Sequence, residues 1–441
     1  MLNQETSSAT APTERFDWRN CWYPVALVED LPRGRPTAVA IHDLRLVLFR
    51  NDDGTLGCLR DRCPHRAARL SDGQLTDGNL ECLYHGWQFD VSGRCVAIPQ
   101  LARGTEIPGR ARATCYAAIE RQGIVWVWPG DAAQAASDSI PIILDLDRPG
   151  VTSIDFMMDL PYGQSYLVEN VIDIAHIHIA HDGVRGGGKR ELAAPLRFTV
   201  LENTVKGIRS TFASVRNGPA RDSAALRGAS VTFVAPNLVW YESHYVDERR
   251  SSGLALYSLP LSESRCRLIY RAYSNFPRWR DRLTPRAAQH WAQCTILEQD
   301  MRVVMGQAEE IERADKPLRE LWLPIKSSDA LVIQYRKWLD EHGSSMPSCR
   351  GFATSPSHRT TTPTELLPVD RFSLHTSICA SCSRAHRATA RASTTFIALT
   401  VVLLAIGVLS SGTALSVVAT TAALAAAIGG VITRAVKGRF E

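Results

Sequence analysis

Two short segments of the 441-residue chain each pair a cysteine with a histidine: Cys63-Pro64-His65 and, after sixteen intervening residues, Cys82-Leu83-Tyr84-His85. One thiolate and one imidazole per loop can hold a [2Fe-2S] cluster with both sulfurs on one iron and both nitrogens on the other. Two neutral imidazoles in place of thiolates remove negative charge and raise the potential above that of four-cysteine clusters. The same four ligands would also serve a tetrahedral zinc ion, and ligand count alone does not separate the two. Pro64, Gly86 and the turn at Ser71-Asp72-Gly73 suit tight loops whose amides approach a bound group, with Trp87 placed to wall off one side.

A second concentration of ligands spans Glu169 to His181, where thirteen residues hold Glu169, Asp173, His176, His178 and His181. At about 100° per residue, Asn170, Asp173, His176 and His181 share one broad side of a helix, while His178 points about 140° from Asp173. His176 and His181 converge on one ion only if the helix ends or bends between them. Two histidines and a carboxylate that leave positions open are the ligand set of non-haem Fe(II) oxygenases. Asp300 is the best third ligand, because Ile296, Leu297, Val303 and Val304 surround it on a helical pattern and an acid in an apolar stripe is costly unless paired or metal-bound. Glu298 and Glu309 compete for that role, and Glu309, Glu310 and Glu312 read as a solvated face.

Short alternating runs such as Thr37–Ile41, Leu46–Phe49 and Gly123–Trp128, separated by Asn, Asp and Gly, predict a small antiparallel β domain over 18–135 that carries the first ligand set. A mixed domain over 136–342, with helices over Gln164–Ala180 and Ala287–Arg313, carries the second. Residues 1–17 read as a disordered leader without signal-peptide or transit-peptide character. Residues 343–383, rich in Ser, Pro and Thr at their start, read as a linker that contains Cys379-Ala-Ser-Cys382, and that pair either forms a thiol switch favoured by His375 and Arg384 or is inert. Thr394 to Thr433 contains no charge over 40 residues, breaks at Ser410-Ser411-Gly412-Thr413, and reads as a membrane anchor of two helical spans. The net charge of +5 resides there: residues 384 onward hold six basic residues against Glu441, leaving 44 against 44 elsewhere. A neutral body excludes a general nucleic-acid surface. Two spans bring Arg384, Arg387 and Arg391 to the same face as Arg434, Lys437 and Arg439.

The composite Cys63-Pro-His-Arg and Cys82-Leu-Tyr-His-Gly-Trp resembles the Rieske motif. Rieske electron carriers add a cysteine to each loop, and Ala68 and Tyr84 stand at those positions, so the resemblance is to the oxygenase type. Ser71 to Phe89, Cys95-Val-Ala-Ile-Pro-Gln100, Glu298-Gln-Asp300, Lys326-Ser-Ser-Asp329, Tyr335-Arg-Lys-Trp338 and the Cys379–Cys382 pair before an apolar tail resemble the pheophorbide a oxygenase family. This resemblance implies an α+β chain: a Rieske β domain, then a helix-grip α/β catalytic domain, here followed by the transmembrane hairpin. It implies a [2Fe-2S] cluster on Cys63, His65, Cys82 and His85, and a mononuclear Fe(II) on His176, His181 and Asp300. Asp173 would bridge the two centres between neighbouring subunits of a homotrimer.

The resemblance further implies ferredoxin as electron donor, O2 as co-substrate and monooxygenase action on a chlorophyll-derived macrocycle, with the catalytic domain on the cytoplasmic or stromal side of a membrane such as the thylakoid. Ile174 and His178 stand where relatives often carry proline, and the glycine-rich Gly183–Lys189 replaces residues near the pocket mouth. Trp240, Tyr241 and Tyr245 are either core or the walls of a pocket for a flat ring. The competing functions are a membrane Rieske electron-transfer protein without oxygenase turnover and a zinc-dependent scaffold.

Overall fold

The computed structural model describes residues 14–184, 187–215, 226–276, 283–347, 349–354 and 369–441. The alternating segments form ten short strands: β1 (Tyr23–Leu27), β2 (Thr37–Ile41), β3 (Leu44–Arg50), β4 (Leu56–Arg60), β5 (Gln74–Thr76), β6 (Asn79–Glu81), β7 (Gln88–Phe89), β8 (Cys95–Ala97), β9 (Ala117–Arg121) and β10 (Ile124–Trp128). They make three antiparallel sheets, ordered β1-β10-β9, β2-β3-β4 and β5-β6-β7-β8. The last of these lies over its own small core, in which Val47, Phe49, Leu59, Leu70, Leu80 and Phe89 surround Cys63 and Cys82.

The second domain is a seven-stranded antiparallel sheet built from β11 (Thr152–Leu160), β12 (Leu196–Thr204), β13 (Gly207–Ser214), β14 (Leu226–Val234), β15 (Leu238–Tyr245), β16 (Ser252–Ser262) and β17 (Arg265–Ser274), ordered β11-β17-β16-β15-β14-β13-β12. Successive strand residues face opposite ways, and around β11 and β17 both faces of this sheet are buried. Phe156, Met158 and Leu160 join Cys266 and Leu268 against helices α1 (Gln164–Ile172), α3 (Arg286–Ala314) and α5 (Ala330–His342). Met157, Ile269 and Tyr273 turn the other way, onto Trp22, Trp126 and Trp128 of the first domain. Two arginines of β17 cross that junction. Arg267 pairs with Asp159 at 2.5 Å and donates to the Val25 carbonyl at 3.0 Å; Arg271 pairs with Asp155 and donates to the Gln122 carbonyl at 2.6 Å.

The helix expected over Gln164–Ala180 is interrupted. α1 ends at Ile172, Asp173 takes an extended ψ of 102°, and only a single turn, α2 (Ile177–Ala180), follows. The Asp173 Oδ1 accepts from the Ala175 N–H at 2.8 Å, a local bond that competes with continuing the helix. The chain therefore breaks once ahead of His176, and α2 ends again at Ala180, so a helix end does fall between His176 and His181, whose backbone has left the helix (φ −110°, ψ 25°). α3 begins after Pro285, which lacks the N–H that a first turn leaves unused, and buries Cys294, Leu297, Met301 and Val304 on one stripe. A further turn, α4 (Leu318–Leu321), leads to the loop before α5.

The expected leader and linker pack onto the fold where they are described. Phe16 N–H bonds the His342 carbonyl at 3.0 Å, and the Glu14 carbonyl accepts from His342 Nδ1 at 2.7 Å. Met346 and Arg350 are buried, with Cys349 and Phe352 packed on the core of the second domain. Residues 1–13 of the expected leader, 355–368 of the expected linker and 185–186 of the glycine-rich segment lie outside the described residues. A π-helical turn at Phe372–Thr376 then docks beside β11, with His375 stacked on Phe156.

Helices α6 (Ala380–Leu409) and α7 (Thr413–Gly438) are each long and apolar enough to cross a membrane, about 45 and 39 Å at 1.5 Å per residue. The break falls at Ser410-Ser411-Gly412, in line with the composition there. Small residues Ala419, Ala423, Ala426 and Gly430 form the buried seam, with Phe396 against Gly429 and Gly430, so the two backbones approach closely. Larger apolar side chains, Val408 and Leu409 among them, point outward. The hairpin is not a detached appendage: Phe440 packs on Cys379 and Cys382, Arg439 sits 3.4 Å over the Trp291 ring, and the Phe440 carbonyl accepts from Thr376 Oγ1 at 2.7 Å.

Candidate active site

The two Cys/His loops share one backbone design. Cys63 N–H bonds the Ala68 carbonyl and Cys82 N–H the Trp87 carbonyl, at 2.8 and 2.9 Å; in return the Cys63 and Cys82 carbonyls accept from the N–H of Ala67 and Gly86 at 2.9 and 2.8 Å. Each loop closes through a residue of positive φ, 60° at Ala67 and 71° at Gly86. Asp61 holds the first loop by accepting from both the N–H and the hydroxyl of Ser71 at 2.7 Å. Gly73 leaves no room for a side chain, since a Cβ there would lie 2.1 Å from the Glu81 carbonyl oxygen.

These turns aim the four ligands at each other. The His65 and His85 rings lie 4.5 Å apart between centroids, and Trp87 stacks on His65 at 4.7 Å with a 4° tilt, the expected wall. Burial, together with the adjacent Cys82 sulfur, pushes the Cys63 thiol above its ordinary pKa, so two thiolates at this depth call for a compensating cation. Desolvation and the neighbouring His65 and Arg66 hold His85 below its ordinary value, in the neutral form that ligates metal. Both sulfurs are buried, while His65, Leu83 and Tyr84 are exposed. All eleven cysteines are free, consistent with Ala68 and Tyr84 in place of clamp cysteines.

His176, at the start of α2, and His181, at its end, turn toward Asp300 on α3. His176 Nε2 lies 3.6 Å and His181 Nε2 3.2 Å from Asp300 Oδ1, and all three ligating atoms fall within 4.8 Å of one another. That spacing suits one face of a single ion. Gln299, unremarked in the sequence except as the middle of Glu298-Gln-Asp300, meets His181 Nδ1 at 3.1 Å and leaves Nε2 as the ligating atom. His176 Nδ1 is buried without a hydrogen-bond partner, and Asp173 Oδ2 lies 3.6 Å from it. Hydrogen bonding to the Asp300 carboxylate raises the His181 pKa in spite of burial.

The competitors have other partners. Glu298 is bound by Arg371 at 2.6 Å, Glu309 pairs with Arg313, and His178 Nδ1 accepts from the Lys189 N–H at 3.3 Å on the far side of α2. Glu312 is not part of a solvated face: it meets the Tyr166 hydroxyl and Arg350, each at 3.0 Å. Glu169 is bound by Arg336 Nε at 2.6 Å and Gln307 Nε2 at 2.8 Å, a buried tie between α1, α5 and α3 that borders the same cavity as His176 and Asp300.

Beside them opens a cavity of about 420 Å3, lined by Asn170, Asp173, His176 and Asp300 at its base and by Val303, Val304, Leu321, Trp322, Leu323 and Pro324 along its walls. Trp240, Tyr241 and Tyr245 do not line it. Trp240 bonds the Tyr273 hydroxyl, Tyr241 bonds the Val171 carbonyl and Tyr245 meets Ser252. The signal for the true wall was Leu321-Trp-Leu-Pro324, an apolar run between two charged segments; Leu323 is 92% exposed.

Comparison with known proteins gives the family of the chain. A family model described as a Rieske [2Fe-2S] domain matches residues 21–116, and one described as pheophorbide a oxygenase matches residues 233–317. The chloroplastic protein TIC 55 of Arabidopsis thaliana is 36% identical over 362 residues, 80% of this chain and 65% of its own length. The chain likewise spans 61% of the Pisum sativum TIC 55, so it covers less than two thirds of these relatives. Chloroplastic pheophorbide a oxygenase of Arabidopsis thaliana is 33% identical over 408 residues, 84% of this chain and 73% of its own. The crystal structure of dicamba monooxygenase bound to dicamba superposes with a TM-score of 0.60 at 24% identity, over 74% of this chain and 98% of that one, and shares its fold. With two ligand sets, their order and the matched regions in agreement, the chain belongs to the pheophorbide a oxygenase family of Rieske non-haem iron oxygenases.

Proposed function

We propose that this chain is a membrane-anchored Rieske monooxygenase acting on a chlorophyll-derived tetrapyrrole or a similarly flat, apolar ring, with ferredoxin as electron donor. The observation that carries this reading is the cavity of about 420 Å3 opening directly on His176, Asp300 and Asp173. An electron-transfer protein has no use for such a space beside a three-donor set.

Cys63, His65, Cys82 and His85 would hold a [2Fe-2S] cluster, and His176, His181 and Asp300 a mononuclear Fe(II). Bound there, the cluster supplies one-electron transfer and the single iron supplies O2 activation. The chain's own residues set the conditions. Gln299 fixes the His181 tautomer, and Asp173 Oδ2 is positioned to accept from His176 Nδ1 while Oδ1 holds the turn. Val303, Val304, Trp322 and Pro324 offer apolar area along the cavity to a planar substrate.

Among the described residues no hydrogen bond or ion pair joins the Cys63–His65 and Cys82–His85 loops to Asp173, His176, His181 or Asp300. Exposed His65 and half-exposed Asp173 are therefore available to meet across neighbouring subunits, which supports a homotrimer. The outward apolar faces of α6 and α7 support a transmembrane hairpin, with its basic ends on the side of the catalytic domain, cytoplasmic or stromal, as in a thylakoid.

The test is turnover with reduced ferredoxin and isotopic O2 on a panel of chlorophyll derivatives, with products read by mass spectrometry. One labelled oxygen atom in a tetrapyrrole product is expected. Full reduction of the cluster with no labelled product from any ring substrate would leave the electron-transfer reading in its place.

A further inference from the structure

Away from both sites, four donors meet at the root of the hairpin. Cys379 caps the start of α6 and Cys382 lies in its first turn; His290 is in the first turns of α3; His375 is in the π-helical turn. All four are buried, none more than 1% exposed. They come from segments up to 92 residues apart in the chain, so chain proximity alone does not bring them together.

All four ligating atoms lie within 4.8 Å of one another, and four of the six separations are known in detail. His290 Nδ1 and His375 Nε2 lie 3.3 Å apart; Cys379 Sγ is 3.4 Å from His290 Nδ1; Cys382 Sγ is 3.2 Å from His375 Nε2 and 3.6 Å from His290 Nδ1. A tetrahedral ion with metal–nitrogen bonds of about 2.0 Å and metal–sulfur bonds of about 2.3 Å has N–N edges of about 3.3 Å and S–N edges of about 3.5 Å. Two separate thiol–imidazole hydrogen bonds would not require all four donors to share one centre.

The histidine tautomers agree. β11 is an edge strand, and its outward carbonyls need donors. The Asp155 carbonyl lies 2.8 Å from His290 Nε2 and the Met157 carbonyl 2.6 Å from His375 Nδ1. A carbonyl can only accept, so those two nitrogens carry the protons. The lone pairs of His290 Nδ1 and His375 Nε2 are then left facing each other and the two sulfurs. This is the outer-sphere arrangement that orients metal-bound imidazoles.

We propose that His290, His375, Cys379 and Cys382 form a closed, structural zinc site that clamps the membrane hairpin to the helix bearing Asp300. Two thiolates neutralise the dication, so the site can be buried, and four protein ligands leave no open position for catalysis. His290 precedes Asp300 by ten residues on α3, about 15 Å of rigid helix. The clamp fixes the anchor relative to the iron-facing carboxylate, and its integrity does not depend on the oxygenase reading.

The full chain, purified in detergent micelles without chelator, should contain one zinc per chain in addition to iron. Cys382→Ser and His375→Ala should each lose that zinc while keeping the Rieske electron-paramagnetic signal; Cys82→Ser should lose the signal and keep the zinc, which separates this site from a zinc-loaded cluster site. X-ray absorption at the zinc edge of the unsubstituted protein, which needs no variant to fold, should show two sulfur and two nitrogen neighbours. Zinc unchanged in both Cys382→Ser and His375→Ala would overturn the proposal. So would protein isolated without zinc and with Cys379 and Cys382 joined as a disulfide.

Discussion

Glu169→Gln is the sharpest test of how the candidate iron site is supported. Arg336 is fully buried, with its guanidinium held by Glu169 at 2.6 Å and by the Arg350 carbonyl at 2.8 Å, between the rings of Tyr166, Trp322 and Tyr335. The amide preserves shape and one acceptor but removes the only carboxylate that contacts this cation among the described residues. Uncompensated charges left by breaking buried pairs cost ~3–5 kcal/mol, and the retained amide bond places this case near ~3. For a unit of this size that corresponds to a fall in Tm on the order of 10 °C. Thermal unfolding followed by circular dichroism measures it, with Arg336→Met and the double variant completing a mutant cycle. The double variant should be more stable than either single one, since it leaves no charge stranded. Iron content supplies a second readout: Glu169 faces Arg336 and Gln307, not the His176, His181 and Asp300 triad, so Glu169→Gln should still bind mononuclear iron. A variant within ~0.5 kcal/mol of the parent would refute the tie, and one that also loses iron would make Glu169 a ligand instead.

Cys82→Ser is expected to abolish the Rieske electron-paramagnetic signal and leave mononuclear iron bound, because the two ligand sets share no residue; simultaneous loss of both would show that they fold as one unit. Asp173→Asn should retain both metals and slow electron delivery to the mononuclear iron by ~10–100-fold in single-turnover measurements, since an amide cannot accept from two imidazoles as a carboxylate does. Unchanged single-turnover rates would remove Asp173 from the bridge. Truncation after Ser383 should give a soluble protein with both iron sites, but with lowered Tm, because it also removes Phe440 and the Arg439 contact with Trp291. Retention of the parent Tm would mean that those contacts stabilise nothing.

How much of this was legible follows the distance over which each feature is encoded. The Cys/His loops are complete within three and four residues, and the turn that shapes each pair lies in the same loop, so the residue types marked a two-loop metal site, while the choice between a cluster and zinc came from the motif resemblance. Asp300 was readable at long range because a carboxylate in an apolar helical stripe must find a cation or a metal to be buried at all. The break at Asp173 was not, because helical periodicity runs straight through it; one side-chain bond to the Ala175 N–H decides the geometry. Trp240 and Tyr241 failed as a shared pocket wall for a reason inherent in strands. Neighbours in β15 must face opposite ways, so one reaches Tyr273 toward the first domain and the other Val171 under the helices. The Ser- and Pro-rich composition after Gly343 suggested a linker, yet the Arg350 carbonyl is an acceptor that buried Arg336 needs, and composition carries no trace of such a demand.

α3 connects these separate features. Along its 29 residues, His290 meets the Cys379–Cys382 cluster at the hairpin root, Glu298 binds Arg371 beside the C-terminus, Gln299 and Asp300 face His181, Gln307 reaches Glu169, and Glu312 holds Tyr166 and Arg350. An α-helix transmits displacement because each turn is bonded to the next at a fixed 1.5 Å rise per residue. A shift at the hairpin end of α3 therefore moves Asp300 against His176 and His181, where donor separations of 3.2 and 3.6 Å leave little slack for holding one ion. The hairpin root is consequently tied through α3 to the candidate iron ligands, and substitutions there that leave iron bound should still alter its ligand field, which electron-paramagnetic or X-ray absorption spectra would read.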